Sequence, residues 1–146
     1  MPAGLGARDS LRLEMGYALY GNDLDEEHTP LESGLGWVTK LDKGFFVGRK
    51  TLAAQKQAGV PRKLVGLTVE GRGFPRPGYA ILSDGDQVGS LTSGTVSPTL
   101  GIGIAMGYVP TELASTGNRV VIDARGRPLD AVVVRPPFYT EGSIRR

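Results

Sequence analysis

The chain contains no cysteine and only one histidine, His28, among its 146 residues. The missing thiols exclude disulfide bonds and metal sites built on thiolates. A single imidazole excludes a cluster of histidine ligands, and no carboxylate motif with metal-ligand spacing takes its place. We therefore expect no metal and a reducing, cytoplasmic compartment. We expect His28 to lie on the surface, without a neighbour that would position it as a general base.

Long apolar runs are absent as well. The uncharged stretch GSLTSGTVSPTLGIGIAMGYVP, residues 89–110, is rich in glycine, serine and threonine and holds two prolines. A membrane helix needs about 20 predominantly apolar residues, so we expect no membrane partner. The stretch also lacks the glycine spacing of a dinucleotide loop and the Gly-Lys-Ser/Thr ending of a P-loop. Small residues that alternate with large ones indicate instead a barrel corner where another backbone passes close.

Charge is unevenly distributed, although the net charge is only +2. Up to Gly36 there are seven acidic residues and two arginines, whereas from Trp37 onward there are fifteen basic and eight acidic residues. A basic surface favours an anionic ligand or an acidic partner, although a solvated surface explains this density equally well. Nucleic-acid binding would need bases interleaved with aromatics on one face. The arginines lie mostly alone between turns, so we expect no nucleic-acid partner.

The first predicted element is a short helix in ARDSLRLEMGYALYG. Asp9 or Ser10 is expected to cap it, and Gly16 and Gly21 are expected to weaken and stop it. Within this helix we expect Glu14 to be partly buried and to orient an arginine. Its apolar residues at helical spacing are Leu11, Met15 and Ala18 or Tyr17. A second helix is predicted from about Gly48 to Ala58, before a glycine and proline stop.

From Arg62 onward the pattern is typical of strands. RKLVGLTVEG alternates in two-residue steps, and YAILSDGDQVGSLTSG and NRVVIDARGRPLDAVVV each read as two strands joined by a tight turn. Strands of this length without intervening helices favour an antiparallel barrel or sandwich. We therefore predict a mainly β fold, an antiparallel Greek-key-like barrel preceded by a short α-helical segment.

Several long motifs follow one another in a fixed order. GLGARDSLRLEMGYALYGNDLDEEHTPLESGLGWVTKLDKGFFVGRKTL is followed by RKLVGLTVEGRGFPRPGY, VGSLTSGTVSPTLGIGIAMGYVP and VVVRPPFY. Together they resemble the C-terminal half of the glycine cleavage system T-protein, an aminomethyltransferase, over essentially the whole chain. The resemblance implies the end of a central folate-binding region in residues 1–51. Residues 52–146 would then form the C-terminal aminomethyltransferase barrel domain.

The resemblance also implies a reaction. An H-protein carries an aminomethyl group on its lipoyl arm, tetrahydrofolate accepts the one-carbon unit, and ammonia is released. T-proteins are much longer than this chain, and the resemblance places their catalytic aspartate in an N-terminal portion. We therefore expect a C-terminal fragment that is inactive alone, whose partners are the lipoylated H-protein and that N-terminal portion. We also expect the fragment to form a homodimer, in the cytoplasm or, for a eukaryotic source, the mitochondrial matrix.

Three residues are predicted to bind a ligand and none to be catalytic, and only Arg8 takes its role from the resemblance. It makes Arg8 a folate-binding arginine, and a guanidinium suits carboxylates because it donates two parallel hydrogen bonds. The alternative is a structural salt bridge from Arg8 to Asp9, to Glu14 or to an acid elsewhere in the chain. Trp37 either lines the folate pocket or belongs to the core. Arg145, at the end of the chain, is expected to reach back to the ligand.

Three alternatives remain open. The chain could be a small basic β-barrel that binds nucleic acid or an acidic protein. It could be the folate-dependent module of a protein like sarcosine or dimethylglycine dehydrogenase, which shares parts of the motif pattern. It could also have no ligand and only brace a partner. Strong salt dependence of oligonucleotide binding would favour the first alternative.

Overall fold

A computed structural model describes residues 3–142 of the chain. The helices are α1 (Leu5–Glu14) and α2 (Arg49–Ala58), and the strands are β1 (Arg62–Val69), β2 (Ala80–Ser83), β3 (Asp86–Val96), β4 (Gly103–Pro110), β5 (Arg119–Asp123) and β6 (Pro128–Val134). The strands close into one barrel in the order β1-β4-β3-β2-β5-β6. Every pair of neighbours is antiparallel. The predicted mainly β fold is confirmed. Strands β2, β3 and β4 form a meander, and β1, which precedes them in sequence, pairs with β4; this is a Greek-key arrangement.

Alternating side chains fill the barrel. On β1, Val65, Leu67 and Val69 are buried, as the two-residue period predicts. They pack in one cluster with buried residues of the other strands, among them Ile81 and Val133. Complete burial of one such side chain contributes about 1.5–3 kcal/mol. The barrel is therefore a rigid support for the segments outside it.

Close backbone approach explains Gly89 and Gly107 in the 89–110 stretch, which forms most of β3, a turn and β4. A Cβ atom at Gly89 would lie 2.0 Å from the carbonyl oxygen of Tyr108, and one at Gly107 would lie 2.6 Å from that of Ser90. Any larger residue at either position would push the two strands apart. The predicted close approach at this part of the barrel is confirmed.

The start of α1 differs from the prediction. The helix begins at Leu5, after Gly4, and no side chain caps it, so the predicted cap at Asp9 or Ser10 is wrong. Both residues lie inside the helix, and Ser10 donates to the carbonyl of Ala7 instead. Leu11 is 62% exposed, whereas the buried residues of α1 are its last two. The predicted stop is confirmed, because Gly16 has a φ of 69°.

The second helix agrees with its predicted bounds. Gly48, with a φ of 86°, precedes α2, and Gly59, with a φ of 87°, follows it. None of its residues is buried. No helix in residues 3–142 has the length and apolar character needed to cross a bilayer.

Candidate functional site

The C-terminal end of α1 is fixed to the barrel through Glu14. Its side chain is 3% exposed. The carboxylate accepts hydrogen bonds from the Ser97 hydroxyl, from the Thr99 amide at 3.1 Å and from the Thr99 hydroxyl at 3.0 Å. Burial alone would raise the pKa of the Glu14 carboxyl, but these hydrogen bonds together lower it below its ordinary value. The predicted arginine partner is wrong: two hydroxyl groups and an amide satisfy Glu14.

A second buried network holds the middle of α1. The Nη1 atom of Arg12 lies 2.6 Å from Oδ2 of Asp23, which is fully buried. Asp23 also accepts from the hydroxyls of Thr92 at 2.5 Å and Ser93 at 2.7 Å, both on β3. Arg12 in turn donates through Nε and Nη2 to Asp9, at 2.8 and 2.6 Å. We call these five residues the Arg12–Asp23 network; it joins α1, the following loop and the barrel.

These contacts occupy the acids that lie nearest to Arg8 in the sequence. Asp9 is taken by Arg12 and Glu14 by Ser97 and Thr99, so the predicted salt bridge from Arg8 to either acid is wrong. Among residues 3–142, no hydrogen bond or ion pair engages the Arg8 guanidinium. Arg8 is exposed and lies one helical turn before Arg12. A fixed helix therefore presents a free guanidinium to solvent.

Trp37 is 73% exposed, which rules out the core alternative for this residue. It lines a shallow cavity of about 330 Å³ together with Lys40, Leu41, Asp42 and Lys56, among others. The indole therefore offers an apolar face beside two lysines. Its role in binding a ligand stays a prediction. Arg145 lies outside the described residues.

His28 occupies a defined position, contrary to the expectation of an unpositioned surface residue. Its ring stacks on Tyr108 with centroids 3.8 Å apart, and Nδ1 lies 2.7 Å from Oδ1 of Asp25. The Tyr108 hydroxyl donates to the carbonyl of Asp23 at 2.8 Å and lies 2.7 Å from the Ser33 hydroxyl. The acidic loop is thus tied to β4. No local pattern around His28 in the sequence indicates this stack.

A further buried acid of this region, Glu32, is held by hydrogen bonds. Glu32, 4% exposed, accepts from the Thr29 amide at 2.8 Å and from Nε of Arg62 at 2.9 Å. Burial alone would raise the pKa of Glu32, but these bonds lower it. Within the described part of the chain, no group of three or more histidine, aspartate or glutamate residues could hold a metal ion. The arrangement therefore provides a rigid frame and a free cation, Arg8.

Two family models match this chain. Residues 62–140 match the glycine cleavage T-protein C-terminal barrel domain. Residues 1–43 match the GCVT N-terminal domain. The first match contains all six strands, and the second contains α1, Arg8 and Trp37.

Curated proteins and a solved structure agree with these matches. The chain is 55% identical to an aminomethyltransferase of Nostoc sp. over 140 residues, 95% of this chain and 37% of the relative. It is 54% identical to an aminomethyltransferase of Halothermothrix orenii, over 94% of this chain and 39% of the relative. The crystal structure of glycine cleavage system aminomethyltransferase T from Bartonella henselae superposes with a TM-score of 0.88 at 38% identity, over 94% of this chain and 39% of that one. The chain thus spans well under half the length of these proteins.

Proposed function

Because the chain belongs to the glycine cleavage T-protein family, we propose that it supplies the C-terminal part of an aminomethyltransferase. The proposed reaction moves a one-carbon unit from an aminomethyl-lipoyl carrier, the H-protein, to tetrahydrofolate and releases ammonia. The observation that carries this proposal is the free guanidinium of Arg8, held on a helix that two buried networks fix to the barrel. A guanidinium that a fixed helix presents in this way can donate two parallel hydrogen bonds to a carboxylate of the folate tail.

The proposal divides the chain near residue 51, within α2. Residues 1–51 would contribute to the folate site, and residues 52–146 would form the barrel domain that supports it. Trp37 offers a flat apolar face for an aromatic ring system, and Arg145 would add a second cation. No residue of this chain is assigned a catalytic role, since the aspartate that the family implies is expected outside it.

We further propose that this chain does not turn over alone. Transfer requires the lipoyl arm, the folate and the orienting carboxylate in one geometry, and such positioning is worth about 7–11 kcal/mol of barrier. The relatives carry more than half of their length outside the region that this chain matches. A polypeptide equivalent to that remainder would complete the site.

Binding of tetrahydrofolate tests the proposed site directly. The chain is mixed with the N-terminal portion of a full-length relative, such as the Nostoc protein, and the affinity is measured by calorimetry. We expect Arg8→Ala to weaken binding about tenfold, the loss of one charge-assisted contact. Arg127→Ala, which removes an exposed cation from the β5–β6 turn, is the control and should have little effect. Equal losses in both variants would refute the role of Arg8.

A further inference from the structure

A cavity of about 570 Å³ lies where the end of α2, the start of β1 and the short turn Thr111–Leu113 after β4 meet. Its apolar lining comprises Leu31, Ala58, Val60 and Pro61. Small-molecule sites usually have volumes of about 300–1,000 Å³ and a mainly apolar lining with a few polar groups. The volume and the lining of this cavity therefore suit a small ligand.

Hydrogen bonds between the walls hold this cavity in shape. The amide of Thr111 donates to the carbonyl of Pro61 at 3.1 Å, and its hydroxyl donates to that of Val60 at 2.5 Å. These two bonds join the end of β4 to the connection between α2 and β1. On the other side, the Thr29 hydroxyl donates to Oε1 of Gln55 on α2 at 2.7 Å. The cavity is therefore preformed, and a ligand has little of the chain to order when it binds.

The side chains that can bind a polar ligand in this cavity are donors. Lys56 in the last turn of α2 and Lys63 on β1 both line it, and both are exposed. Within residues 3–142 neither lysine forms a salt bridge, whereas Arg62, the neighbour of Lys63, is paired with Glu32. The side-chain oxygen of Gln55 is already an acceptor, so its Nε2 atom remains as a donor. The cavity therefore combines two cations and an amide donor with an apolar lining.

A ligand that matches this cavity has an anionic head and an apolar body. Lysine ammonium groups attract anions, and a hydrogen bond between charged groups is about twice as strong as one between neutral groups. Burial of the apolar lining is favourable only if the ligand brings an apolar surface of its own to cover it. Acetate and inorganic phosphate have the charge without the apolar body, and an alkylammonium ion has the apolar body with the wrong charge.

We propose that this cavity binds a small aliphatic carboxylate. Lys56 and Lys63 bind its carboxylate group, and its chain covers Val60 and the other apolar lining residues. Lys56 is the one lining residue that also borders the cavity of Trp37. Neither Arg8 nor Trp37 lines the carboxylate cavity, so this inference does not depend on the proposed folate site.

Hexanoate is the probe, and its binding to the full chain is followed by the amide chemical shifts in a titration. We expect a dissociation constant of about 1 mM, typical of so small a ligand, with the largest shifts at residues 55–63 and 111. Ala58→Phe should weaken binding about tenfold or more, because the added ring occupies the cavity. The matched control is Ala54→Phe, the same change at an exposed position of α2 that does not line the cavity. It should change binding less than about twofold.

The two cations are tested by the double variant Lys56→Gln with Lys63→Gln, which should weaken hexanoate binding about tenfold. Its control, Lys43→Gln with Lys50→Gln, removes the same charge from two exposed positions outside the cavity. Equal losses in the two double variants, or in the two phenylalanine variants, would overturn the proposal. It would also be overturned if hexylammonium, acetate or inorganic phosphate shifted the same amides with equal affinity, or if hexanoate did not bind.

Discussion

Replacement of Glu14 by glutamine tests the attachment of α1 to the barrel. The carboxylate is buried and accepts three hydrogen bonds from Ser97 and Thr99. A hydrogen bond to a charged group contributes about 1.5–3 kcal/mol, against about 0.5–1.5 kcal/mol for a neutral one. Each of the three bonds should therefore weaken by about 1 kcal/mol, and relief of the buried charge offsets part of that loss. We expect Glu14→Gln to lower the free energy of unfolding by about 2 kcal/mol.

The effect should depend on pH in a defined direction. The pKa of Glu14 is lower in the folded chain than its ordinary value of 4.5, so the folded state binds fewer protons at mildly acidic pH. The stabilisation is fully present above the unfolded pKa and is lost as pH falls through the folded pKa. The difference between wild type and Glu14→Gln should therefore be constant near neutral pH and shrink below about pH 4.5.

Urea unfolding followed by far-ultraviolet circular dichroism is the suitable assay. Tryptophan fluorescence is a poor probe here, because Trp37 is already 73% exposed in the folded state. The matched control is Glu112→Gln, which makes the same chemical change at an exposed position. If the two variants lose equal stability, or if the difference for Glu14→Gln stays constant into acid, the attachment through an ionised Glu14 is refuted.

Three further changes probe the frame around α1 and the barrel by the same assay. Asp23→Asn should destabilise by about 3–5 kcal/mol, because it removes a buried carboxylate that pairs with Arg12 and accepts from Thr92 and Ser93. Asp86→Asn, at an exposed position, should cost little, and similar costs would contradict the network. Gly89→Ala should lower the free energy of unfolding by about 1–3 kcal/mol, because the added methyl group clashes with the facing strand. Gly6→Ala, at a position with open space around it, should instead stabilise α1 by about 0.5–1 kcal/mol. If Gly89→Ala leaves the stability unchanged, the two strands can separate without cost. Tyr108→Phe should cost about 1–3 kcal/mol because it removes the hydroxyl that joins the acidic loop to β4; no change in stability would show that the hydroxyl does not hold the loop.

The barrel is predictable because its signals are local. Strand alternation depends on neighbours two residues apart, and the β2–β3 turn needs left-handed backbone at both central positions. Asp84 and Gly85 supply it with φ values of 52° and 90°. The same holds for the end of α1, which is followed by Gly16 with a φ of 69°.

The attachment of α1 was not predictable, because its partners are distant in sequence. Asp23 meets Thr92, which is 69 positions away, and Glu14 meets Ser97, which is 83 positions away. Asp23 lies in a run of acids whose other members give no sign that this one is buried. The ion pair between Asp9 and Arg12 is local, because the two residues are three positions apart on one helix, but the second partner of Arg12, Asp23, is not. Composition and sequence spacing do not show which distant side chain a buried acid contacts, because tertiary packing determines that partner.

Formation of methylene-tetrahydrofolate from an aminomethylated, lipoylated carrier protein tests the central claim most directly. The chain, the N-terminal portion of a full-length relative, and both together are assayed under identical conditions. The account predicts no measurable turnover by residues 1–146 alone, turnover by the mixture, and a kcat/KM for tetrahydrofolate reduced about tenfold by Arg8→Ala but not by Arg127→Ala. Robust turnover by residues 1–146 alone, or a mixture that Arg8→Ala leaves unchanged, would contradict it.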